Sequence, residues 1–142
     1  MVYLEEPEDF NPKFDIGSCF LERNGKFLLL LRQDCKPQGN TWGVPAGKVE
    51  ENETPAQATA REMTEETGYP ANPEQLRFFK TVYVRFPEFD FIYHMFSLSL
   101  PGDHEVLIDP ETHKDFRWVT PQESLAMPLI GGLDSCVRLF YL

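Results

Sequence analysis

Positive charge is scarce in this chain: 13 Lys and Arg stand against 23 Asp and Glu, a formal net charge of −10 over 142 residues. So acidic a surface repels phosphate backbones, and no basic run reverses that locally, which argues against nucleic acid or an anionic membrane as a partner. Long apolar runs are also missing. The longest, Phe27 to Leu31, is far short of the ~20 residues a membrane helix needs. The first ten residues carry four acids and no basic n-region, so no signal peptide is expected. Cysteine is equally sparse. Cys19, Cys35 and Cys136 are odd in number, far apart and form no Cys-x-x-Cys pair, which excludes a disulfide framework and a thiolate zinc site and suits free thiols in the cytoplasm.

Other chemistries drop out for want of a partner. His94, His104 and His113 have no metal-ligand spacing, and no Gly-x-Ser-x-Gly accompanies them. The stretch GVPAGKV has one residue too few between its glycines for a phosphate-binding loop and no Ser or Thr after Lys48.

What is present reads as one globular domain over residues 1–142, with 42% hydrophobic and 25% charged residues. Asn24-Gly25 between the apolar segments 16–22 and 26–32 predicts a β-hairpin. The Gly- and Pro-rich stretch that follows is read as a loop with a short strand at 42–44. A helix is expected over 55–68: Thr54 as cap, Pro55 at its first position, Gln57 completing a capping box, Gly68 as the stop. Segments 76–86 and 89–100, rich in Phe, Tyr, Val and Ile, predict two longer strands that pair. After a polar stretch come a short strand at FRWV, a second capping box at Thr120 and Glu123, and a helical C-terminus. Strands and helices are mixed rather than strictly alternating, so the expected class is α/β, a mixed sheet with helices on its faces.

The most informative feature is a concentration of carboxylates. Gly47 to Tyr69 holds six acids and two bases. At about 100° per residue, Glu62, Glu65 and Glu66 fall within one arc of the helix, while Ala56, Ala60, Met63 and Thr67 share an arc about 140° away. One side packs and the other gathers acids. Like charges at these spacings cost a helix about 0.2–0.5 kcal/mol per pair, and near the C-terminal half they also oppose the dipole. Charge pattern alone fits either a solvated acidic face or a site awaiting a counter-charge, which Arg61 and hard divalent cations can supply.

Spacing decides between the two. Gly47, five residues, Glu53, seven residues, then Arg61-Glu62-x-x-Glu65-Glu66-x-Gly68 resembles the complete signature of the Nudix hydrolase family, with Tyr69 where an aliphatic residue is usual. Chance would produce those seven fixed residue types on the order of once in a million chains. The resemblance implies an α/β/α sandwich around a central mixed sheet. It also implies Mg²⁺ or Mn²⁺ held beside a diphosphate by Glu62, Glu66 and Glu65, with the backbone carbonyl of Ala46 or Gly47 as a further ligand. Glu53 and Arg61 would be the supporting pair, and Glu111, among the acids of the 103–115 loop, a further catalytic acid. Arg32, Trp42, Lys48 and Phe86 are candidate substrate contacts, for phosphate or for stacking on a base, although buried aromatics and surface cations occupy such positions as readily.

The implied activity is metal-dependent pyrophosphohydrolysis of a small nucleoside diphosphate-linked substrate by a cytoplasmic monomer or homodimer. A nucleoside triphosphate, 8-oxo-dGTP-like ones included, would give the monophosphate and pyrophosphate. ADP-ribose, nucleotide sugars and dinucleoside polyphosphates are the alternative substrates, and a nucleotide-sensing module without turnover is the non-enzymatic one. Arg85, Phe86 and Pro87 lie where dinucleoside polyphosphate-cleaving relatives place a Tyr, which weighs against that substrate.

Overall fold

Four consecutive leucines, Leu28 to Leu31, give one strand apolar residues on both faces, and such a strand must be covered on both sides. The computed structural model describes residues 1–142. Its elements are β1 (Val2–Tyr3), β2 (Pro12–Arg23), β3 (Lys26–Arg32), β4 (Trp42–Gly43), β5 (Ala46–Lys48), α1 (Pro55–Thr67), β6 (Arg77–Arg85), β7 (Asp90–Ser99), β8 (His113–Val119), α2 (Pro121–Ser124) and α3 (Leu133–Tyr141). The strands form one mixed sheet ordered β1-β6-β7-β2-β3-β4, with β5 joined to β2 and β8 to β3. Only β2 and β7 run parallel.

Alternation along the strands sorts the core into two layers. Cys19 and Leu21 of β2, Leu28 and Leu30 of β3 and Leu98 of β7 cluster with Met63 of α1. Phe20, Phe27, Leu29, Phe91 and Met95 cluster instead with Leu133, Cys136 and Val137 of α3, where Phe20 stacks on Phe140 with centroids 4.7 Å apart. The result is the expected sandwich, α1 on one face and α3 on the other. Leu28, Leu29 and Leu30 have no exposed surface, and each such burial stabilises the fold by about 1.5–3 kcal/mol.

The hairpin turn forms as expected, with Asn24 and Gly25 both left-handed at φ 53° and 76°, the conformation a two-residue turn requires. Its strands, however, pair only at Glu22–Phe27 and Arg23–Lys26 before they part. Beyond that point β5 lies along Ile16–Ser18 of β2, while β3 turns to β4 and β8. Neither β1 nor β5 is expected from sequence, since two- and three-residue strands carry no periodicity. Strand β8 starts three residues before FRWV because β3 offers it an edge as far as the Arg32–His113 pair.

The capping box on α1 is complete: Gln57 N–H donates to Thr54 Oγ1 at 3.1 Å and Thr54 N–H to Gln57 Oε1 at 2.9 Å. Gly68 ends the helix in the left-handed region. The reciprocal bonds expected at Thr120 and Glu123 also form. All three cysteines are free thiols, and only Cys35 is exposed. No helix is long and apolar enough to cross a membrane.

Helix α1 approaches β2 most closely at Gly17, where a Cβ would overlap Thr59 Oγ1 and sit 2.9 Å from the Pro55 carbonyl oxygen. Gly17→Ala should therefore lower stability by about 1–3 kcal/mol, the usual cost of overpacking. A urea-unfolding midpoint equal to that of the wild type would show that α1 does not press on this strand.

Candidate active site

Three segments converge where β5 meets α1. With Ala58, Thr59, Ala60, Met63 and Thr67 buried, the opposite arc of α1 turns Glu62 and Glu66 toward the backbone of Ala46 and Gly47. The Ala46 N–H donates to Glu66 Oε1 at 2.9 Å. Gly47 lets Glu62 lie across the main chain, because any Cβ there would occupy the same space as the Glu62 carboxylate. Glu65 is the more open to solvent: its side chain is 56% exposed, against 14% for Glu62.

Arg61 ties these parts together. Its Nε and Nη2 grip the two oxygens of Glu53 at 2.8 and 3.0 Å, and Nη2 also donates to the Lys48 carbonyl at 3.0 Å. Nη1 reaches Glu62 at 3.3 Å and Glu65 at 3.7 Å, and Glu50 lies 3.5 Å from Nη2. The planar fork suits such bidentate work in a way a lysine does not. Glu53 in turn accepts the Glu50 N–H at 2.9 Å, which closes the loop before α1, and these bonds hold its carboxyl below the ordinary range.

One guanidinium does not neutralise the cluster. Burial, then the proximity of Glu65, pushes the Glu62 carboxyl up to about 7. Burial, then the charge of Glu62, pushes Glu66 up to about 8 against the opposing pull of the Ala46 N–H and Arg32. Two half-buried or buried carboxylates beside bare backbone form a hard-oxygen donor set that fits a divalent cation. No three acidic, imidazole or thiol side chains already converge in ligating geometry, since Glu65 faces Arg61.

Glu66 also borders a cavity of about 280 Å³. Phe14, Phe86, Phe89, Phe91 and Tyr93 give it an aromatic wall, and Arg32, Gln38, Lys48 and His113 are its polar members. Phe86 meets Phe91 edge-on at 5.3 Å and Phe14 meets Phe89 at 5.4 Å, while Lys48 Nζ lies 4.4 Å over the Phe14 ring. Arg32, Lys48 and Phe86, candidate substrate contacts by sequence, all line this one cavity.

Two candidates do not. Trp42 lies in the core, 7% exposed, with its backbone bonded to Pro128 and Ile130 and Arg117 5.3 Å over its ring. It is a structural aromatic, absent from the cavity wall. Glu111 is exposed in the turn before β8, its N–H capped by Asp109 Oδ1 at 3.0 Å, and does not line the cavity either; the chain turns back at Asp109 and enters β8 so that His113 lines it. Sequence reasoning passed over Phe14, Phe89, Gln38 and His113 as site residues. The alternation Phe89-x-Phe91-x-Tyr93 was available as a sign that these rings share one face. Nothing local in the sequence marks Gln38, which reaches the site because its Oε1 accepts the Gly131 N–H at 2.7 Å across the fold.

The NUDIX domain model matches residues 13–140. A CTP pyrophosphohydrolase of Escherichia coli K12 is 31% identical over 118 residues, 81% of this chain and 82% of that protein. A putative 8-oxo-dGTP diphosphatase of Bacillus subtilis is 34% identical over 101 residues, 71% of this chain and 62% of that protein. The crystal structure of a MutT protein from Methanosarcina mazei superposes with a TM-score of 0.79 at 24% identity, covering 92% of this chain and 94% of that one, a likeness of fold.

The raised carboxyls have a consequence for stability. An unfolded Glu66 ionises near 4.5 and the folded one near 8, so the folded state is favoured while the side chain keeps its proton and loses that advantage as pH rises between them. In chelator, the stability of the wild type relative to Glu66→Gln should decline from about pH 5 to pH 8 and level off above. Parallel urea-unfolding midpoints across that range would show instead that Glu66 is not desolvated.

Proposed function

Because the chain belongs to the NUDIX domain family of hydrolases, whose members act on phosphoanhydride bonds of small nucleotides, we propose that it hydrolyses a nucleoside triphosphate to the monophosphate and pyrophosphate. The observation that carries this reading is that one cavity is lined both by a buried carboxylate, Glu66, and by a set of aromatic rings. The first suits a cation-bound diphosphate and the second a base, which binds by its faces. Relatives named for CTP and for 8-oxo-dGTP support the substrate class, and the reading places the reaction in the cytoplasm.

In this reading Glu62 and Glu66, with a backbone carbonyl of Ala46 or Gly47, hold Mg²⁺ or Mn²⁺, and Glu65 joins them by leaving Arg61. The cation supplies positive charge to the phosphate oxygens and acidity to the water that attacks. Arg61 and Glu53 act as positioning residues: they hold the β5–α1 loop and the Glu62 carboxylate at the geometry the cation needs. Phe86 and its neighbours bind the base and keep water from it. Arg32 and Lys48 meet phosphate. This reading gives Glu111 no part, since it does not line the cavity.

Activity should require Mg²⁺ or Mn²⁺ and be lost in chelator. Glu62→Gln and Glu66→Gln should each lower kcat about 100-fold or more, given the several kcal/mol a catalytic cation contributes, and Arg61→Lys about 10–100-fold. Exposed Glu51→Gln should stay within about twofold. Product analysis over CTP, dGTP, 8-oxo-dGTP, ADP-ribose, a nucleotide sugar and a dinucleoside polyphosphate tests the substrate. Preference for any of the last three would overturn the triphosphate assignment, and absence of turnover throughout would favour a sensing role.

A further inference from the structure

His113 is the imidazole that lines the cavity; His94 instead bridges Thr81 and Asp15, and His104 lies against the Thr67 carbonyl. His113 is 4% exposed, and its Nδ1 sits 2.9 Å from Thr112 Oγ1. Its Nε2 has no partner within the protein. Since no fully covered side-chain nitrogen or oxygen lacks a partner, Nε2 is not fully covered, and the space His113 borders is the cavity.

The Thr112 hydroxyl stands between two acceptors, the Asp109 carbonyl oxygen at 3.2 Å and Nδ1 at 2.9 Å. That carbonyl also accepts the N–H groups of Thr112 at 3.1 Å and His113 at 2.9 Å, which favours donation of the hydroxyl proton to Nδ1; the imidazole proton then resides on Nε2. Burial, and then the positive charge of Arg32, pushes the His113 pKa down to about 4, with Asp109 pulling the other way and Lys36 adding to the fall. The ring is neutral at pH 7.

Arg32 stands opposite His113 in the strand register. Its Nε donates to the Pro37 carbonyl at 2.8 Å, which fixes the guanidinium and leaves both terminal nitrogens without a protein acceptor. Its charge reaches Glu66, and Arg32, His113 and that carboxylate border the same cavity. Donors gathered there call for an oxygen that only accepts, and a phosphoryl oxygen is such a group.

We propose that His113 binds the substrate through its Nε2–H, as a neutral donor to a phosphoryl oxygen beside the Arg32 guanidinium. The inference rests on the pyrophosphohydrolase reading above. A neutral donor takes up no proton when the anion binds, so the contact is insensitive to pH across the neutral range, unlike a contact made by protonated imidazolium.

The test pairs ring ¹⁵N spectra of the intact protein with kinetics. The spectra should show His113 protonated on Nε2 and unchanged in charge from pH 5.5 to 8, and its Nε2–H should shift when an α,β-methylene nucleoside triphosphate binds. His113→Leu should lower kcat/KM by about 10–100-fold, as loss of a hydrogen bond to a charged acceptor does, whereas His113→Gln, whose Nε2 replaces the donor, should recover most of it with the pH profile of the wild type. A proton on Nδ1, titration near pH 6.5, or equal losses in the Leu and Gln variants would overturn the role of His113 while wild-type turnover leaves the hydrolase reading intact. A wild type that neither binds the analogue nor turns over any nucleotide would overturn both. Thermal unfolding of each variant separates loss of the contact from loss of the fold.

Discussion

Arg61 is the constraint on which the site depends. Its fork joins Glu53 in the loop, the Lys48 carbonyl at the end of β5 and Glu62 on its own helix, so three pieces of chain are held in one geometry. Without that positive charge the carboxylates of α1 would repel one another and face a loop free to move. With it, the acids of α1 share a counter-charge held by the loop, while the other face of the helix packs on the sheet. Because its partners include a backbone carbonyl and a bidentate carboxylate, the tie fixes orientation as well as charge.

The sheet completes what Arg61 begins. Strand β2 serves both layers: Gly17 admits α1 on one face, and Phe14 and Ile16 border the cavity on the other. Because β2 leaves β3 soon after the turn, β5 can lie beside it, and that is how Ala46 and Gly47 come within reach of Glu66 and Glu62. The divergence of one hairpin thus lies behind both halves of the site.

How much of this was legible in the sequence depended on range. Local signals read well: Thr54, Pro55, Gln57 and Gly68 bounded α1 to within a residue, Asn24-Gly25 gave its turn, and the acidic arc with Arg61 and Glu53 was visible because helical periodicity and one fixed spacing carry it. What the sequence does not carry is tertiary. Trp42 was an aromatic beside the acidic loop, but only the pairing of β4 with β3 and the path of 128–130 decide that it is buried. Glu111 and His113 are two residues apart, and only the start of β8 determines which one borders the cavity. Gln38 and Phe89 reach the site through contacts about 90 and 75 residues distant in sequence from their partners Gly131 and Phe14, a range at which a linear pattern carries no signal.

The origin of the two parts of the site differs in kind. Around the carboxylates main chain takes a direct part beside Arg61: the Ala46 N–H, the Lys48 carbonyl and the missing side chain of Gly47. The aromatic wall is made of side chains from β2, the 86–93 segment and the 130–133 turn. Mutation reaches side chains far more readily than it reaches backbone. Such a division lets the carboxylate cluster persist while the aromatic wall drifts, so what the cavity admits can diversify among descendants of one fold, or be redesigned by hand, without rebuilding the cluster.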